Sequence, residues 1–325
     1  MIGGESKMAE RSKRITLYDI KKANDINPET LKLFQKYQID MSIRDLSENS
    51  IKQYNSDLMQ WFIYMHDKQF NLSVLDATDE DLEEYYYWRK QQGNNVNRIK
   101  RIMSSISAFY KFLRKKKLIK ESPVEFIERP KQGQPIIVQT YLTKDEIKLM
   151  REKLLESGDI QLLVYAFLSL TTMARVNAIA HLKWGQINFD ERVCENVLEK
   201  EGKIVELSFS EETKDYLLQL KKYRTDNDIE DFGWVFRTPY TSENKCILNG
   251  TLNEWAKRIG NMIGHPTLHP HDFRHSFATL LKNFGGMSLE DVSLLLNHSG
   301  TDVTRKFYIK EDTSKVRKLK DSFVI

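Results

Sequence analysis

Arg175 interrupts an otherwise apolar run, "IQLLVYAFLSLTTMARVNAIAHLKW" (160–184). His269, His271, Arg274 and His275 crowd the head of a second apolar stretch, "HPHDFRHSFATLL" (269–281). Basic groups are costly in such surroundings unless an anion meets them. Lys200 lies at a turn, His298 closes "LLLNHSG", and Tyr308 sits ten residues further on in "TRKFYIKED". Each also has a plain structural reading. Arg175 could pair with a buried carboxylate, and Lys200 taken alone reads as a surface lysine. His265, His269, His271 and His275 invite a zinc reading, but no cysteine and no acid other than Asp272 stands at useful spacing, so no metal site is assigned.

The elements that must hold these residues can be read from caps and periodicity. "LSENSIKQYNSDLMQWFIYMHDKQF" (46–70) offers Ser47 and Ser50 as helix caps, with an apolar stripe at Tyr54, Leu58, Trp61, Phe62 and Met65. "TDEDLEEYYYWRKQQG" (78–93) opens with a Thr cap and an acidic first turn. A helix over 95–117 follows, with Ile99, Ile102, Met103, Ile106, Phe109 and Leu113 on one side and Arg98, Arg101, Ser105 and Lys115 on the other. "ERPKQGQPIIVQTY" is the most linker-like stretch. Beyond it, "LTKDEIKLMREKLL" restarts with a Thr cap, and "CENVLEKEGKIVELSFS" (194–210) reads as a hairpin broken at Glu201-Gly202. The expected division is a flexible leader (1–26), a helical domain (27–127), a linker (128–140) and a second domain (141–325) that is mainly α with a small β-sheet.

Composition agrees with two helix-rich domains. The 325 residues include only 14 Gly and 7 Pro, which disfavours a sandwich or barrel. Cys194 and Cys246 lack any CxxC spacing, so a reduced, cytoplasmic chain fits. No apolar run is long enough to span a membrane. Net charge is a modest +4, but it is unevenly spread. Residues 71–84 carry six acidic side chains and no basic one, whereas residues 96–120 carry nine basic side chains and no acidic one. A like-charge run is often just a solvated face. An amphipathic helix with a cationic outer side is also the electrostatic footprint of a phosphate-backbone binder.

Taken in order, Arg175, Lys200, His271-x-x-Arg274, His298 and Tyr308 resemble the motif set of the tyrosine recombinase or phage integrase family, which includes the Xer and Cre-type enzymes. "HDFRHSFATLL" looks like the family's H-x-L-R-H-x-F-A-T box, "LLLNHSG" like its L-G-H-S box, and "VTRKFYI" like its nucleophile segment. "TTMARVNAIAHLKWGQI" is similar to the T-G-x-R-x-x-E-x-x-x-L-x-W stretch holding the first arginine. The N-terminal half is similar to the family's core-binding domain, so the resemblance spans roughly residues 30–310.

This resemblance implies that the awaited anion is a DNA phosphodiester. Arg175 and Arg274 would offer forked donors to its non-bridging oxygens. Tyr308 would attack phosphorus, with His271 accepting its proton, because a free phenol of pKa ~10 is a poor nucleophile at neutral pH. His298 would bond the phosphate, and Lys200, with Lys203 as its rival, would protonate the departing 5′-oxygen. The covalent link stores the cleaved bond, so no ATP, metal or other cofactor is implied. The partners implied are double-stranded DNA at a specific site, with inverted repeats, and further copies of the chain in a synaptic tetramer. The two domains would clamp the duplex, with Asn95, Asn97, Arg98, Arg101 and Ser104 near DNA.

The sequence departs from the pattern at defined places. The family usually has Gly before the first arginine and an acid three residues after it; here Ala174 precedes Arg175 and Ala178 follows. Asn297 replaces the glycine of the L-G-H-S box, and the His298–Tyr308 spacing is one residue longer. These departures leave open an alternative: a recombinase-fold DNA-binding regulator, such as a phage repressor, with weakened or lost strand transfer.

Overall fold

Short polar side chains fix where the helices begin. A computed structural model describes residues 20–131, 141–199 and 202–297, and the chain divides into two compact units between Val138 and Gln139. In the first unit, α1 (Ile20–Asp25) is followed by α2 (Pro28–Ile43), capped by Asn27 with Pro28 in its first turn. The Ser47 hydroxyl caps α3 (Glu48–Lys68), and Thr78 and Asp81 form a reciprocal capping box on α4 (Asp79–Gln91). Asn95 caps α5 (Val96–Lys115) by accepting from Arg98 N at 3.0 Å. The leader expected over 1–26 gives way to structure before its end: α1 is helical, Lys22 pairs with Asp67 at 2.5 Å, and Ile26 is buried.

Aromatic residues fill this unit's core. Phe34 meets Phe62 edge-on at 5.5 Å, and Tyr37 meets Phe109 at 5.3 Å. Each such side chain contributes ~1.5–3 kcal/mol by leaving water. Within this core, the wholly buried Asp57 of α3 accepts from Arg98 Nη2 at 2.5 Å and from the Ser105 hydroxyl at 2.8 Å. Ser105, expected on the cationic outer side of the helix, is therefore an inward residue. Its hydroxyl supplies a hydrogen bond that a buried carboxylate needs.

The second unit is built on α7 (Ile160–Thr172), which lies between α6 (Lys144–Ser157), capped by Thr143, and the later helices. Its residues from Leu162 to Leu170 are all buried. After it come α8 (Val176–Ala180), then β1 (Ile187–Asn188), β2 (Val193–Leu198) and β3 (Ile204–Ser208). These strands form one antiparallel sheet in the order β1-β2-β3, with Cys194 facing Leu207 and Leu198 facing Ile204. The chain continues through α9 (Glu211–Asp226), α10 (Asn249–Met262), α11 (Pro270–Phe284) and α12 (Leu289–Leu295). α7 packs on both α9 and α11. The mainly helical architecture with a small sheet is the one the sequence leads one to expect. Among the described residues, no helix is long and apolar enough to cross a membrane.

Candidate active site

α7 stops at Met173, whose φ of 52° lies in the left-handed region that non-glycine residues seldom adopt. This is the position where the backbone demands glycine-like freedom, one residue before Ala174. The reversal turns the chain outward and delivers Arg175 to the N-cap position of α8, where its side chain keeps 26% exposure. No side-chain cap bond holds Arg175 there.

The anion that meets Arg175 in the folded chain is Glu199, immediately after β2. Its wholly buried carboxylate accepts from Arg175 Nη1 through Oε2, and its Oε1 lies 4.0 Å from Arg274 Nη1. The carboxylate absent at position 178 is thus supplied from the strand. The alternative that Arg175 pairs with a buried acid holds for the structure described. Sequence reading missed Glu199 although a signal existed, since it follows Val197 by two residues, the interval at which an extended chain returns to its inward side.

Arg274 is fully buried on α11 and donates to the backbone carbonyls of Met173 and Leu296. It ties the end of α7 to the end of α12. Leu296 precedes Asn297, which also adopts a left-handed conformation with φ 50°. Both carbonyls that hold the guanidinium are therefore set by left-handed turns at residues with a Cβ.

His271 lies one turn before Arg274 on α11, whose start is fixed by Pro270 and by Asp272 accepting from His269 N at 2.8 Å. Its ring stacks on His269 at 5.9 Å and meets His275 at 6.2 Å. Burial, then the charges of His269, Arg274 and Arg175, pushes the His271 pKa down from 6.5 to about 4. At neutral pH the ring is an uncharged imidazole able to accept a proton. His265 is engaged elsewhere, with Nε2 2.6 Å from Glu146 Oε1. Among the described residues, no three metal-ligating side chains gather into one site.

Arg175, His271 and Arg274 thus come together. Lys200, His298 and Tyr308 lie outside the described residues. The rival Lys203 is exposed, and its carbonyl accepts from Glu199 N at 2.8 Å across the hairpin.

In the helical unit, Asn97, Arg101 and Ser104 lie exposed along α5. Arg98 is committed to Asp57, and Arg101 reaches the same carboxylate only at 3.6 Å with its side chain 47% exposed. Asn95 is spent on capping the helix. Of the five DNA-contact candidates, those three present themselves to solvent.

The sequence model of the phage integrase family matches residues 140–315, and that of the phage integrase N-terminal SAM-like domain matches residues 34–117. The chain is 27% identical to the tyrosine recombinase XerC of Pediococcus pentosaceus, over 85% of this chain and 92% of that protein. It is 26% identical to the tyrosine recombinase XerD of Vibrio cholerae, over 85% and 90% respectively. Among solved structures, the XerH site-specific recombinase in a post-cleavage complex with palindromic difH DNA superposes with a TM-score of 0.68 at 15% identity, covering 92% of each chain. A lambda integrase dimer bound to a core site gives 0.64 at 16% identity, covering 85% of this chain and 94% of that one. At such identities these two superpositions speak for the fold.

Proposed function

Because the chain belongs to the phage integrase family, whose members include tyrosine recombinases, we propose that it is a site-specific recombinase that cuts and rejoins DNA through a 3′-phosphotyrosyl intermediate. The observation that carries this reading is the meeting of Arg175 and Arg274 at one buried carboxylate, with the neutral His271 one turn before Arg274 and under the charge of both arginines.

In the proposed reaction the Tyr308 phenolic oxygen bonds to phosphorus and its proton passes to His271. The bond from phosphorus to the 5′-oxygen breaks, and that oxygen takes a proton from Lys200, or from Lys203 if the hairpin presents it instead. Arg175, with its exposed edge, meets the negative charge that builds on the phosphoryl oxygens. Arg274, wholly enclosed behind it, contributes field rather than a solvent-facing fork. His298 bonds a phosphate oxygen. Water, free 5′-hydroxyl or a second strand then competes for the phosphotyrosyl link, and strand exchange is the productive outcome.

The relatives guide the finer assignments. The XerH relative is seen on a palindromic substrate and lambda integrase as a dimer on its core site. By extension, this chain would bind inverted repeats as a dimer, and two such dimers would pair into a synaptic tetramer for integration or excision. Asn97, Arg101 and Ser104 on α5 would face the duplex.

A nicked duplex carrying the DNA site that the protein protects tests the reading. Loss of the short strand past the nick should trap a covalent protein–DNA adduct, and Tyr308→Phe should abolish it. Site-specific retention of DNA with no adduct would instead identify a regulator built on this fold.

A further inference from the structure

Two guanidinium groups gathered at one site repel each other unless a counter-charge stands between them. Here Arg175 arrives from the turn after α7 and Arg274 from α11, and Glu199 stands between them. Its side chain is wholly buried, and its backbone N–H is fixed across the hairpin by Lys203 O. One carboxylate oxygen accepts from Arg175, while the other faces Arg274 at 4.0 Å and has no hydrogen-bond partner among the described residues. The position three beyond Arg175, where the resembled family carries its acid, is Ala178, only 3% exposed on α8. The orienting charge therefore comes from the end of a strand rather than from the helix.

Resting on the recombinase reading above, we infer that Glu199 is the positioning residue of the reaction: its charge holds the exposed Arg175 guanidinium edge toward the scissile phosphate. It also leaves the three-residue cluster with a net charge of one positive, which complements a phosphodiester monoanion. Among the described residues, Glu199 is the one group bonded to the Arg175 side chain, so loss of the charge should free it to swing.

The test uses the full-length chain at a temperature where circular dichroism shows every variant folded. Glu199→Gln keeps the shape and removes the charge, whereas Glu199→Asp keeps the charge. On the nicked suicide duplex, single-turnover adduct formation should fall about 10–100-fold in E199Q, as when an orienting partner is lost, with DNA affinity close to that of the parent. E199D should recover much of that loss. Parental cleavage by E199Q, or E199D no faster than E199Q, would overturn the inference. Nitrogen-detected NMR of the arginine side chains gives a readout independent of cleavage. The Arg175 guanidinium should be ordered in the parent and in E199D and mobile in E199Q; an equally ordered Arg175 in E199Q overturns the role. A parent that forms no adduct at all refutes the recombinase reading alone, and the NMR comparison still decides what Glu199 does.

Discussion

The two carboxylate oxygens of Glu199 are divided between two guanidinium groups, Oε2 bonded to Arg175 and Oε1 4.0 Å from Arg274. Only Arg175 keeps an exposed edge, so the two arginines are not equivalent. One faces the solvent, and the other faces the protein.

That asymmetry sets the mutational pattern. Arg274→Ala leaves the Met173 and Leu296 carbonyls and part of the Glu199 charge without their donor, and should cost about 3–5 kcal/mol of stability. Arg175→Ala should lower the adduct-forming rate by about 10²–10³-fold, as removal of one transition-state donor does, with a smaller loss of stability. Urea denaturation of both variants, set beside their cleavage rates, checks the order. Equal stability losses would contradict it.

The depressed His271 pKa predicts a pH dependence of stability with a definite sign. Between about 4 and 6.5 the unfolded chain binds a proton at this position that the folded chain does not. His271 therefore favours the folded state fully above pH 6.5, and this contribution is lost as pH falls through about 4. His271→Gln should flatten the fall of the urea midpoint across that window. A midpoint curve that keeps the parent's slope would rule the shift out.

On α5, neighbouring arginines should behave differently. Arg98→Ala leaves the buried Asp57 short of a donor and should lower stability by about 1–3 kcal/mol. Arg101→Ala should leave the fold largely intact but weaken DNA binding and reduce the slope of log affinity against log salt by about one. Fluorescence anisotropy over a salt series reads the second effect, and thermal melting reads the first.

Asn297 has a left-handed backbone and a half-buried side chain. Asn297→Gly should raise stability by about 0.5–1 kcal/mol, because glycine adopts that conformation without steric cost. A lowered melting temperature would show that the Asn side chain has a task of its own.

The helical framework was largely legible in the sequence because it is written locally. Ser47, Thr78 and Thr143 each cap the helix that follows them within three residues, and Gly202, with a positive φ of 74°, falls between β2 and β3. The errors come from partners distant in the chain. Ser105 looks like a surface residue until Asp57, 48 positions away, is seen to need its hydroxyl. Glu199 pairs with Arg175 across 24 residues, so nothing within one turn of the arginine announces it. The divided fate of Arg175 and Arg274 is likewise invisible in spacing, since both belong to the same motif set and only packing tells them apart. Of the six reactive residues named from the sequence, Arg175, His271 and Arg274 fall within the described structure, and Lys200, His298 and Tyr308 fall outside it.

Arg274 fastens the last turn of α7 to the last turn of α12 through Met173 and Leu296. A descendant that had abandoned DNA cutting altogether would still suffer if this arginine drifted, because the rivet would go with it. Its persistence in any lineage is thus poor testimony to activity; the tyrosine proposed to attack phosphorus is the witness to question.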